Sequence, residues 1–389
     1  MILFEEAQKI VNEVPVRTEV ETVPLDKAGE RILAQDIISS INMPPFNKSA
    51  MDGYAVISDD PSEKFRVIET IPAGKLPQKK VHRGECAKVM TGGIVPDAAD
   101  RVIMREMTEE KDGYMFVTAR ETNKNVCIAG EDIKKGDRVL AKGIKIRPQE
   151  VGLIASMGLN KVTVYKKPRI GLISTGSELV PPGKRINQSQ IYDSNSYSLS
   201  AQIKRTGVRL VDRRMVLDDP DKIKKAIRDF MERCDVLLVS GGVSMGDFDY
   251  VPYVLKKLGF TLHFEKVAIK PGKPTVFGTK GNQTVFGVPG NPVSTFVVFE
   301  LFIRPFLLRL MGHTYEPLLI SGVLKESIQR RKTGRAFFIP VEYREGAIKE
   351  LPYHGSAHMH ALTRANALLC IPKGVKELRK GKKVHVRQI

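Results

Sequence analysis

The chain lacks a Cys-x-x-Cys pair, an internal repeat, a low-complexity tract and any apolar run near the roughly 20 residues that span a bilayer. These absences narrow the field. Cys86, Cys127, Cys234 and Cys370 lie far apart, which argues against a zinc ribbon or a thioredoxin-like redox pair and fits reduced thiols in the cytosol. Met1-Ile-Leu-Phe-Glu-Glu6 shows no basic leader before an apolar stretch, so no signal peptide or membrane partner is expected and the expected location is cytoplasmic. No helix-turn-helix, finger or RNA-binding aromatic signature is present, so nucleic acid is not an expected partner. Asp and Glu are outnumbered by Lys and Arg, 44 to 62, for a net charge of +18 and a pI near 9.6, and the imbalance is steep at the end. Residues 325–389 hold fifteen Lys/Arg against five Asp/Glu, a net of +10. Either a solvated basic surface or attraction of an anionic ligand accounts for that.

At 389 residues the chain has room for two to four domains. Phe4, Ala7, Ile10, Val11 and Val14 follow helical spacing up to Pro15, and Ala28 to Ile38 reads as a second element. Residues from about 50 to 125 read as β-rich, with Phe65 to Ile71, Arg101 to Met107 and Tyr114 to Ala119 as strands. Gly130 to Gly136 is a loop, and residues 148–159 suit a helix, so the β-rich block reads as an insertion into a unit built from its flanks. From Arg169 strands and helices alternate. Ile170–Ser174, Arg209–Val216, Asp235–Val239 and Thr284–Val288 are expected strands. Residues 194–206, a segment opened by Asp219-Pro220, Val251–Leu258 and one long run from Pro292 to Met311 are expected helices. That alternation implies a doubly wound, mainly parallel α/β sheet, with ligands beyond the C-terminal strand ends. The last 70 or so residues return to short strands such as Ala336–Tyr343 and Ala367–Ile371, as in a small β-barrel or sandwich.

Three segments stand at those strand ends: Ser240-Gly-Gly-Val-Ser-Met-Gly-Asp-Phe-Asp-Tyr250, Lys270-Pro-Gly-Lys-Pro274 and Val288-Pro-Gly-Asn-Pro292. Gly241 and Gly242 let the main chain approach a phosphate, and Ser244 adds a hydroxyl. Asp247 and Asp249 would repel such a ligand unless a hard cation such as Mg²⁺ sat between them. The structural alternative for Asp249 is to cap the helix that begins near Tyr250. Lys270 and Lys273 flank a stiff Pro-Gly and suit one anion, or are two solvated lysines. Pro289, Gly290, Asn291 and Pro292 form a helix-start turn whose N–H groups also suit phosphate. Glu178, Asp193 and Asp218 are caps or surface charges singly, and metal or ribose ligands as a group. Asp52 lies in Ser49-Ala-Met-Asp-Gly-Tyr54, where Asp-Gly ordinarily means a turn. His354, His358 and His360 invite a metal reading, but their spacing matches no zinc motif.

Taken in order, these and further segments resemble the MoeA family of molybdopterin molybdenumtransferases, related to the gephyrin E domain. They are Ser49–Tyr54, Met90-Thr-Gly-Gly93 with Pro96-Asp-Ala-Ala-Asp100, Gly130-Glu-Asp132, Thr175-Gly-Ser-Glu178, Gln190-Ile-Tyr-Asp-Ser-Asn195, the three segments above, Gly334-Arg335 and Gly355-Ser356. The resemblance covers nearly the full length. It implies a discontinuous N-terminal and linker domain at 1–40 and 131–166, an inserted β-rich domain at 41–130, an α/β molybdopterin-binding domain at 167–315 and a C-terminal β-barrel at 316–389. It also implies a homodimer in which Asp52 and Thr91 act in trans. The implied reaction inserts molybdate into adenylylated molybdopterin and releases AMP. Asp249, Lys270 and Lys273 take catalytic places in that pattern. Lys273, Arg335 and Ser356 hold molybdate, Ser244 helps hold the nucleotide, and Glu178, Asp218 and Asp249 hold Mg²⁺ or another divalent cation. The substrate's own dithiolene sulfurs ligate molybdenum, so no protein cysteine is required. An upstream adenylyltransferase and acceptor molybdoenzymes are the implied protein partners. The rival readings are a molybdopterin adenylyltransferase, which shares the α/β unit, and a gephyrin-like assembly scaffold. The chain departs from the family pattern at Ser177, often Asp, and at Cys127, commonly Arg. It also departs at Pro340, often basic, and at His360, in a segment usually richer in serine.

Overall fold

The computed structural model of the chain describes residues 1–119, 122–244, 249–352, 355 and 358–389. They form two compact units, one of residues 1–34, 143–147 and 161–389, the other of 35–142 and 148–160.

The first unit is built around a six-stranded sheet in the order Arg209–Val216, Arg169–Thr175, Val236–Ser240, Gln283–Val288, Val276–Lys280, Thr261–Phe264. The first four strands are parallel, Val276–Lys280 runs antiparallel to them, and Thr261–Phe264 pairs antiparallel with Val276–Lys280. Val236–Ser240 is buried at every position, as expected for a strand covered by helices on both faces. The sequence pattern misses Val276–Lys280 and Thr261–Phe264 but places the parallel core correctly. Helix Pro220–Met231 begins where expected, with Asp219 accepting hydrogen bonds from the amides of Asp221 (3.0 Å) and Lys222 (2.9 Å). It buries Ile223, Ala226, Ile227 and Phe230 against one sheet face. The expected single helix from Pro292 to Met311 is instead two α-helical pieces, Pro292–Val298 and Arg304–Leu310, joined by a π-helical turn at Phe299–Ile303. Pro305 supplies the reason: it has no N–H for the carbonyl of Leu301, so the regular ladder cannot run through.

The N-terminal helix Phe4–Glu13 buries Ala7 and Val11, and Arg309 holds its end by donating to the carbonyls of Val11 (2.9 Å) and Val14 (2.8 Å). Ala28 to Ile38 is not one element. Leu25–Lys27 is a short 3₁₀ turn, Ile32 and Leu33 make isolated bridges, and only Ile37–Ile38 forms a strand. Toward the C-terminus, Ala336–Arg344 pairs with Ala347–Glu350 on one side and Ala367–Ile371 on the other, closing a small barrel with Leu319–Leu324 and Lys383–Gln388. Ile269–Lys270 adds to it in parallel, with Ile269 opposite Ala336 and Lys270 opposite Phe337.

The second unit holds a separate six-stranded sheet: Arg101–Met104, Gly53–Val56, Glu85–Val89, Lys64–Ile71, Tyr114–Val117, Thr108–Lys111. Alternation sorts Ala55 to one core and Tyr54 and Val56 to the other. Among the described residues no helix is long and apolar enough to cross a membrane.

Candidate active site

The four parallel strands end at one level, with Ser174 opposite Ser240, Ser240 opposite Val288 and Thr175 opposite Val216. The chain leaves Arg169–Thr175 toward one sheet edge and returns on its other side as Val236–Ser240. The loops after these two strands therefore diverge, and a hollow forms between them. Its volume is about 370 Å³, and Glu178, Gly241, Gly242, Ser244, Asp218, Asp249, Pro289, Gly290 and Asn291 all line it. Three carboxylates and no Lys or Arg face it among the described residues. Pro292 is not in its wall and instead opens the following helix.

Local chemistry explains the shape. Gly241 has φ +95, and a Cβ there would stand 2.2 Å from the carbonyl oxygen of Thr175, so only glycine lets the turn pass that strand end. Thr175 Oγ1 donates to Asp218 Oδ1, and the Ser177 amide donates to Asp218 Oδ2 at 3.1 Å. Asn195 Nδ2 donates to Ser240 Oγ (3.0 Å) and to the Gly290 carbonyl (2.7 Å), joining two rims of the hollow. Asp193 is a buried cap, accepting from Ser174 Oγ (2.6 Å) and from the Ser196 amide (3.0 Å), which removes it from the ligand candidates. The helix after Asp249 starts at Val251 with Tyr250 at its cap position and no side-chain cap. Asp249, just before that cap, lines the hollow.

The lysines line a second cavity, of about 810 Å³, with Arg330, Arg331, Lys332, Arg335 and Phe337. Six Lys/Arg and no carboxylate face it among the described residues. Among the described residues Asp249 lines the first cavity and both lysines line the second. Two hollows of opposite charge adjoin through consecutive residues, Lys273 in the second and Pro274 in the first. Buried Pro271 and Gly272 anchor the segment, while Lys270 and Lys273 are exposed. Gly272 has φ +105, and a Cβ there would meet Val298 Cγ2 at 2.7 Å. Thr275 Oγ1 donates to the Gly272 carbonyl at 2.6 Å, and the Val267 amide donates to the Lys273 carbonyl at 2.9 Å. Arg335 donates to the Ile269 carbonyl at 3.3 Å. Ser356, His354 and Asp247 lie outside the described residues.

In the second unit, Asp52 and Thr91 are joined directly: the Thr91 amide (2.6 Å) and hydroxyl (2.7 Å) both donate to Asp52 Oδ1. These bonds hold the Asp52 carboxyl below the usual carboxylate range.

Among the described residues no three His, Cys, Asp or Glu side chains gather closely enough to hold a metal alone. The donor set of the first hollow still suits Mg²⁺, which commonly takes one or two carboxylates and completes its shell with water and substrate phosphate. His358 and His360 are exposed and join no such group.

Residues 2–158 match the family described as MoeA N-terminal region (domain I and II), 171–309 the "Probable molybdopterin binding domain", and 322–389 the MoeA C-terminal region (domain IV). Among curated proteins, the Haemophilus influenzae molybdopterin molybdenumtransferase is 33% identical over 382 residues, 95% of this chain and 94% of that protein. The Bacillus subtilis protein of the same name is 32% identical, covering 99% of this chain and 93% of its own. This chain belongs to the MoeA family of molybdopterin molybdenumtransferases. A crystal structure of a molybdopterin biosynthesis moeA protein from Pyrococcus horikoshii OT3 superposes with a TM-score of 0.86 at 31% identity, covering 100% of both chains.

Within this MoeA chain, the departures from the family pattern have local settings. Ser177 offers its amide to Asp218, Cys127 pairs with Lys48 in a short strand, and Pro340 is buried opposite Leu368 in the barrel. Sequence reasoning missed Asn195 as a rim cross-link and Arg330, Arg331, Lys332 and Phe337 as cavity residues. The basic triplet just before Gly334-Arg335 is the signal that could have found three of them. Nothing local marks Phe337.

Proposed function

We propose that this protein inserts molybdate into adenylylated molybdopterin, releasing AMP and yielding molybdenum cofactor. One observation carries the proposal: a carboxylate-lined, glycine-walled hollow adjoins a cation-lined one on the same unit. The substrate has matching parts, a nucleotide joined through pyrophosphate at one end and a metal-capturing dithiolene at the other. In the first hollow Gly241, Gly242, Ser244, Pro289, Gly290 and Asn291 hold the adenylate. Glu178, Asp218 and Asp249 face its phosphates, and a divalent cation such as Mg²⁺, when bound, offsets that charge and polarises the phosphoanhydride. Water adds to phosphorus, the P–O bond to the leaving phosphate opens, and AMP departs. Asp249 orients the water or the cation. In the second hollow Lys273 and Arg335 receive the tetrahedral molybdate dianion and Lys270 adds positive charge, and the proposal keeps the molybdate-holding role that the family pattern gives Ser356.

The same proposal includes a homodimer in which Asp52 and Thr91 complete the partner's site, a cytoplasmic location, and exchange with an upstream adenylyltransferase and acceptor molybdoenzymes. It keeps the four-domain division with boundaries at 1–40 with 131–166, 41–130, 167–315 and 316–389. Similarity to molybdenumtransferases over nearly the whole chain favours this reading over an adenylyltransferase, whose α/β unit alone needs only about 150 residues, or a scaffold. The test is AMP formation from adenylylated molybdopterin. Release that rises with molybdate and matches cofactor formed supports the proposal. AMP addition to free molybdopterin from ATP, or release indifferent to molybdate, overturns it.

A further inference from the structure

The basic cavity raises a problem of its own. Six cations share one wall with no carboxylate among the described residues to hold them in place. Arg330 is held by the backbone: only 7% exposed, its guanidinium donates to the carbonyls of Arg335 (2.6 Å), Pro372 (3.1 Å), Ile371 (3.2 Å), Val375 (3.4 Å) and Lys332 (3.4 Å). Its Nε is buried without a partner. The planar fork thus clamps the loop that carries Arg335 while keeping its own charge. Lys270 is held differently. Strand pairing sets it opposite Phe337, its ammonium stands 4.9 Å from the ring centroid, and the Arg330 guanidinium carbon stands 5.3 Å from the same centroid.

We propose that Phe337 is a positioning residue of this cavity, its ring, seated beside the clamped Arg330, holding the Lys270 ammonium at the wall where the oxyanion enters. The inference rests on the proposed molybdate site and deepens it. A carboxylate beside Lys270 would fix it equally well but would cancel the charge the anion needs. An aromatic face fixes the ammonium and leaves the net charge intact. The competing account is packing alone, since Phe337 also packs against the barrel core. Leucine keeps apolar bulk and loses the ring, and tyrosine keeps both.

The experiment measures molybdate binding by calorimetry, and AMP release against molybdate concentration, on the full chain. No molybdate binding by the wild type defeats the oxyanion reading itself, and the inference with it. With wild-type binding present, Phe337→Leu is expected to raise the dissociation constant and the half-saturating molybdate about five-fold, with the saturated rate within about two-fold. Phe337→Tyr stays near wild type. In a Lys270→Met background Phe337→Leu adds nothing further. Wild-type affinity in Phe337→Leu, or equal losses in Leu and Tyr, overturns the role of Phe337 and leaves the site standing. A measurement without any change at Phe337 decides the matter if Leu fails to fold. The ε-protons of Lys270, assigned by loss in Lys270→Met, are expected upfield of the other lysines through the ring current, and an unshifted signal overturns the inference.

Discussion

The two hollows differ in how each can accept a negative ligand. The first presents Glu178, Asp218 and Asp249 and repels a phosphate until a cation intervenes. The second presents Lys270, Lys273 and Arg335 and attracts an anion directly. Their construction differs as well. The first sits on loops at strand ends, shaped by Gly241 against Thr175 and cross-linked by Asn195. The second lies between the Lys270–Pro274 segment and the barrel strand Ala336–Arg344, with Arg330 clamping its loop. Charge of opposite sign is thus kept apart at close range. Side by side, carboxylates and lysines would partly neutralise each other and weaken the pull of each on its ligand.

That contrast yields tests of decreasing size. Asp249→Ala is expected to lower AMP release by about a hundred-fold or more while leaving thermal unfolding and molybdate affinity unchanged. A near-normal rate would remove Asp249 from the chemistry. Chelation of divalent cations is expected to abolish nucleotide-dependent turnover but to spare molybdate binding, measured by equilibrium dialysis. Equal loss of both would mean that the hollows do not work separately. Lys273→Ala is expected to raise the molybdate needed for half-maximal rate about ten-fold, with the saturated rate nearly kept, and an unchanged dependence would take it out of the anion site. The smallest effect comes from two neighbours. Asp219→Ala removes a helix cap outside the hollow and is expected to lower stability by about 1 kcal/mol in denaturant titrations, with both affinities intact. Asp218→Asn, inside the hollow, is expected to weaken nucleotide binding instead. If the two variants behaved alike, the boundary drawn between cap and site would be wrong.

Much of the frame was legible because local signals and packing agree. The apolar run before Ser240 can only be a covered strand, and Asp219-Pro220 both caps and pre-sets a helix. The glycine turns and the Lys-Pro-Gly-Lys-Pro segment marked themselves by residue type. Other features were hidden for physical reasons. Val276–Lys280 and Thr261–Phe264 are short and lack a clean alternation, so only pairing makes them strands, the first with Gln283–Val288 and the second with the first. The π-helical turn needed the consequence of Pro305 to be followed back to Leu301. Asp193 carries a site-like carboxylate but is buried as a cap.

The amino-acid order alone determined which residues bring hydroxyls, carboxylates and cations to strand ends, because residue type and local period are properties of neighbours along the chain. Only the folded arrangement decided that these groups divide into two hollows. Only it set Arg330 inside against Ile371, Pro372 and Val375 and Lys270 beside Phe337, because burial and strand pairing join residues far apart along the chain, and no local pattern encodes which partner they will meet.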